Sequence, residues 1–108
     1  MVGKIEITFT PDVILYLDGL VQVLYKKEYF GFIETAENYV DQIYDAVDEN
    51  IKVQKHKTTP KPLKHLGSKY IFYKANTRTI WYIFYESRNN KYLITAITNS
   101  HCEDAKYL

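Results

Sequence analysis

Cysteine is nearly absent from this 108-residue sequence, Cys102 being the single one. No disulfide can form within the chain, so its stability must come from burial, and a reducing compartment such as the cytoplasm is the expected setting. Long apolar runs are lacking as well. Met1-Val-Gly-Lys-Ile-Glu6 has no apolar stretch behind its basic residue. No segment approaches the roughly 20 apolar residues of a membrane span, so neither a signal peptide nor a membrane partner is expected. The three prolines and four glycines make no linker, and there is no internal repeat. One domain over residues 1–108 is expected, long enough to bury a core without staples. Carboxylates at Asp41, Asp45, Asp48 and Glu49 lack a second ligand set at metal-binding spacing. They read as solvated helix-face acids, and no metal or cofactor is expected.

Acid is absent from one long stretch. Residues 51–85 hold eight basic side chains (Lys52, Lys55, Lys57, Lys61, Lys64, Lys69, Lys74 and Arg78) and no Asp or Glu. Residues 1–50 hold three basic side chains against ten acids, and the overall net charge of +1 conceals the contrast. A one-sign block in a near-neutral chain is a candidate docking surface for a polyanion. The plainer reading is partial neutralisation by the acidic helices of the same fold.

What is present is strand chemistry. Lys69 to Lys74, Thr79 to Glu86 and Lys91 to Asn99 are rich in β-branched and aromatic residues, separated by polar turns at Asn76 and Asn89-Asn90. This pattern predicts an antiparallel three-stranded meander. The middle run is apolar at both parities, which marks a central strand. Upstream, Ile5, Ile7 and Phe9 alternate with polar residues as a half-buried strand. Thr10-Pro11 starts a helix. Its apolar stripe is Val13, Leu17, Leu20 and Leu24, broadened by Tyr16, Val21 and Val23, and Gly31 ends it. Gly19 within it suggests a closely packed neighbour. A second helix over 33–50 buries Ala36, Tyr39, Val40, Ile43, Tyr44 and Val47. From Ile51 to Ser68 periodicity vanishes, and Thr58-Thr-Pro-Lys-Pro62 predicts a basic loop. Ser100 with Glu103 suggests a capping box for a last helical turn.

The expected class is α+β, in the order β-α-α-β-β-β with a short tail. This layout resembles the RelE/ParE superfamily of bacterial toxin–antitoxin modules, of the plasmid-stabilisation type. The likeness spans nearly the whole chain and is carried by Tyr70-Ile-Phe-Tyr-Lys-Ala-Asn-Thr-Arg-Thr-Ile-Trp-Tyr-Ile-Phe-Tyr85 and Tyr92-Leu-Ile-Thr-Ala-Ile-Thr-Asn-Ser-His101. It implies a helical hairpin on one face of the sheet, an open concave face that binds the target, and a cognate antitoxin.

Nuclease members of that superfamily cut mRNA on the ribosome without metal. The chemistry needs a base, an acid and cations against the added negative charge. His101 at the end of the last strand is the first acid/base candidate, and Tyr107 and Tyr82 are further catalytic candidates. Lys61, Lys64, His65, Lys69 and Arg78 are candidates for contact with the nucleic acid. Tyr82 stands where the nuclease branch carries an arginine, a departure that removes a phosphate clamp. Each candidate has a structural alternative. His101 can equally bond the tail backbone, Tyr82 and Tyr85 can pack the sheet, and His56 and His65 read as solvated loop residues. Tyr70, Phe72, Trp81 and Tyr92 can stack bases or fill the core under the helices. Three functions remain: an mRNA endonuclease toxin, a ParE-like protein that poisons DNA gyrase, and a binding module that keeps the fold alone.

Overall fold

The computed structural model describes residues 5–26, 33–53, 56–75 and 77–108. The fold is α+β, a five-stranded mixed sheet with two helices packed on one side. In chain order the elements are β1 (Glu6–Phe9), α1 (Pro11–Lys26), α2 (Ile33–Val53), β2 (Lys57–Thr58), β3 (Lys69–Lys74), β4 (Ile80–Arg88) and β5 (Lys91–Asn99). Two 3-10 segments complete it: a basic turn, Lys61–Leu66, and a C-terminal turn, Glu103–Tyr107. The strands lie in the order β1-β5-β4-β3-β2. β3, β4 and β5 form the expected antiparallel ribbon, and β1 adds in parallel to β5.

Local chemistry explains the joints. Val13 N–H donates to Thr10 Oγ1 at 3.4 Å and Ile14 N–H to Thr10 O at 3.1 Å, so the threonine caps α1. Asn89 turns β4 into β5 with φ 57°, left-handed backbone that asparagine tolerates. The expected stop at Gly31 lies outside the described residues.

Side chains alternate across the sheet. Ile71, Trp81, Ile83, Tyr85 and Ile94 point to the helices and meet Val13, Leu17, Val40, Ile43, Val47 and Ile51. Trp81 Nε1–H donates to Tyr39 Oη at 2.9 Å, which satisfies the one polar atom of the indole.

Several expectations are corrected. The stretch 51–68 is largely regular, because α2 runs on to Val53, β2 follows and the basic turn is helical. Pro62 sits within the first turn of that 3-10 segment, where no N–H is needed, so the prolines that exclude a central strand permit it. Tyr16 and Val23 do not broaden the buried stripe of α1: they are exposed by 42 and 46%. The core of this helix rests on Val13 and Leu17, with Leu20 and Val21 partly buried. A Cβ built on Gly19 meets nothing within 4 Å among the described residues, so none of them supplies the closely packed neighbour expected there. In the tail, Cys102 and not Ser100 precedes the 3-10 segment, and no side chain caps it. Ser100 Oγ instead accepts from Ile80 N–H at 3.1 Å, tying the tail to the start of β4.

Candidate functional site

The sheet face away from the helices carries the opposite parity: Lys57 of β2, Tyr70 and Phe72 of β3, Ile80, Tyr82 and Phe84 of β4, Ala96 and Thr98 of β5. This face was expected to be open. Its middle is covered, because Leu63 of the basic turn is buried with Tyr70 and Phe84, and Leu66 and Leu108 pack beside them. Leu63, set among lysines and prolines, thus anchors the basic turn by the ordinary hydrophobic drive, worth about 2 kcal/mol for a fully buried side chain.

Polar contacts and close fit fix that turn to β4 and β5. Thr95 Oγ1 donates to Leu66 O. Ser68 N–H donates to Glu86 Oε2 at 3.1 Å, and Ser68 Oγ donates to the other carboxylate oxygen. Between these contacts, Gly67 lies against the strands. A Cβ there would stand 2.8 Å from Thr95 Oγ1, 2.8 Å from Tyr85 N and 3.0 Å from Phe84 Cβ. The contact falls where β4 and β5 slip register between Phe84 and Tyr85, and the slip leaves Thr95 unpaired and free to reach Leu66.

Beside the turn a cleft of about 180 Å³ remains, lined by Lys57, Tyr70, Phe72, Ile80, Tyr82 and Leu108. Lys57 Nζ lies 5.6 Å from the centre of the Phe72 ring, within cation–π range. Tyr70 and Tyr82 meet edge to face at 6.1 Å. Burial, with Tyr82 adding to it, pushes the Tyr70 phenol above its ordinary pKa. At neutral pH that hydroxyl is therefore a donor, not a base. The cleft offers aromatic surfaces, phenol donors and a cation, a combination suited to one planar ring with an anionic substituent.

The sequence-derived candidates fall at different distances from this cleft. Tyr82 lines it. Lys61, Lys64 and His65 are exposed on the basic turn that covers the same face. Arg78 and His101 stand at the sheet end where Ile80 closes the cleft: Ser100 Oγ donates to Arg78 O at 3.4 Å, and His101 Nε2 lies 3.0 Å from Thr79 Oγ1. His101 is exposed, and its backbone N–H donates to Asn99 Oδ1 at 2.9 Å. Lys69 has the parity of Ile71 and Tyr73, which places it on the helix side of the sheet. Tyr107 is 44% exposed, with Lys106 Nζ 5.2 Å from its ring centre, and the neighbouring Leu108 takes the place in the cleft. Of the four aromatics offered for stacking, Tyr70 and Phe72 face the cleft while Trp81 and Tyr92 pack under the helices.

Sequence reasoning left out Lys57, which no pattern separates from the other lysines. It also mistook His56 for a solvated residue. His56 Nε2–H donates to Ile51 O at 2.9 Å, and its Nδ1 accepts from the Tyr85 hydroxyl. Tyr85 is fully buried, and burial, aided by Tyr92, pushes its phenol far above the ordinary value. The histidine is thereby a strut between the end of α2 and β4.

Among the described residues no three His, Cys, Asp or Glu side chains converge on a metal-sized site, and no helix is long and apolar enough to cross a membrane. Compared with known proteins, the chain matches no family model, no curated protein and no solved structure.

Proposed function

We propose that this protein is the toxin of a bacterial toxin–antitoxin module with the RelE/ParE layout, acting in the cytoplasm by metal-independent cleavage of mRNA on the ribosome. The observation that carries this reading is the aromatic cleft beside the rigidly anchored basic turn, on the face the helices leave free. Single-stranded RNA asks for such a surface: rings to stack splayed bases, and cations along the backbone. Lys57, Lys61 and Lys64 supply charge, and Arg78 and His101 lie at the cleft's far end.

In the proposed reaction the 2′-oxygen bonds to the adjacent phosphorus as the bond to the 5′-oxygen breaks. A base takes the 2′ proton and an acid returns one to the leaving oxygen. His101 serves as one of these groups, with Thr79 Oγ1 holding its ring at 3.0 Å. The Tyr70 phenol, well along the cleft from His101, donates to a phosphate further along the bound strand. A cognate antitoxin neutralises the protein by occupying the same face.

A second reading, a ParE-like poison of DNA gyrase, draws on the centre of the cleft, where Tyr82 stands and no guanidinium is present. One experiment separates the two. Induced expression is followed by parallel readouts of mRNA integrity and DNA breaks. Fragmented mRNA with intact DNA, abolished by His101→Ala, is expected. Intact mRNA with broken DNA favours the gyrase reading, and harmless expression overturns both.

A further inference from the structure

We infer, resting on the reading of the cleft as an RNA site, that it selects guanine over adenine and that Lys57 tells the two apart. The purines stack alike, so aromatic rings alone do not separate them. Their edges differ. Guanine presents O6 and N7 as two adjacent acceptors, whereas adenine sets an amino donor beside its N7. A site that brings donors to that edge, and no acceptor, therefore favours guanine.

The lining of the cleft has that character. Among the described residues that line it there is no Asp, Glu, Asn or Gln, the side chains that accept from a base amine. Phe72 O, beside the cleft, is engaged by Asn50 Nδ2 at 3.1 Å. The phenol oxygens of Tyr70 and Tyr82 can donate or accept, so they favour neither purine. Discrimination falls to Lys57, which has three donors and no acceptor. Its place suits the task. Lys57 is the register partner of Tyr70, and its Nζ stands 5.6 Å from the centre of the Phe72 ring. Phe72 is in turn the partner of Tyr82, so two rings lie side by side next to the ammonium. A base laid on Phe72 takes the ammonium's place over that ring. The lysine is exposed on a flexible stem, so its head moves to the rim of the base, where O6 and N7 lie. Lys61 and Lys64, on the basic turn, are left to the phosphates.

Fluorescence anisotropy of the full chain with single-stranded RNA pentamers at low salt tests this, the central base being guanine, adenine, inosine or 7-deazaguanine among uridines. Guanine is expected to bind at least about 5-fold tighter than adenine, the lower end for one bidentate contact. Inosine, which keeps O6 and N7, is expected to match guanine, and 7-deazaguanine to fall toward adenine. Lys57→Met is expected to remove the preference and Lys57→Arg to keep it. Lys57 is exposed on a two-residue edge strand, so both variants are expected to melt near the wild-type temperature, which separates a lost contact from a lost fold. Equal binding of guanine and adenine, or a preference that survives Lys57→Met, overturns the assignment and leaves the proposed function standing. Absence of binding to every pentamer overturns both.

Discussion

The two faces of the sheet are built on different terms. Under the helices the contacts are aliphatic and aromatic, and the few polar atoms there are paired inside the protein, as Trp81 is with Tyr39 and Tyr85 with His56. On the other face, among the described residues, three form a buried cluster, Leu63, Tyr70 and Phe84. The rest of that layer is held by hydrogen bonds, a glycine contact and packing at the tail, and it leaves aromatic surface and lysines accessible. The first face makes the fold stable. The second holds a basic turn in a fixed place with little buried area.

If that contrast is right, substitutions should separate the faces. Ile83→Ala empties a fully buried position under the helices and is expected to lower stability by about 2–5 kcal/mol in urea unfolding. Phe72→Ala, in the half-buried cleft, is expected to cost clearly less and to abolish RNA binding. Equal losses would mean that the cleft is structural.

Gly67→Ala tests the attachment of the basic turn. The clash with Tyr85 N involves backbone, which cannot swing aside, so a loss of about 1–3 kcal/mol is expected, together with faster proteolysis between Lys61 and Lys69. Tyr85→Phe removes the donor to His56 Nδ1, with an expected loss of about 1–2 kcal/mol.

The same tyrosine predicts alkaline sensitivity. A phenol whose folded pKa is raised above its unfolded value of 10.0 adds stability that is complete below pH 10 and declines as pH rises beyond it. Denaturant midpoints should fall above pH 10, and fall less in Tyr85→Phe. The smallest effect has the opposite sign. Among the described residues the buried Thr59 Oγ1 has no hydrogen-bond partner, so Thr59→Val is expected to gain about 1 kcal/mol.

Much of the fold was legible because alternation and helical spacing are local. Ile5, Ile7 and Phe9 announce β1, and Thr10-Pro11 announces α1. The site was less legible for a physical reason. Tyr70, Phe72, Tyr82 and Phe84 share one parity, but β4 is apolar at both parities, so sequence cannot say which set the helices will cover. The basic turn hid because a six-residue 3-10 segment with a proline inside it shows no period. Its signs were Leu63 and Leu66, apolar among cations. His56 gave no sign at all, since its partners, Ile51 O and Tyr85, come together only in the folded chain.

The most direct test of the central contrast is an NMR titration of the protein with short single-stranded RNA. Resonances of Lys57, Tyr70, Phe72, Tyr82 and the basic turn are expected to shift together and saturate, while those of α1 and α2 stay in place. Shifts confined to the helices, or none anywhere, would contradict the account.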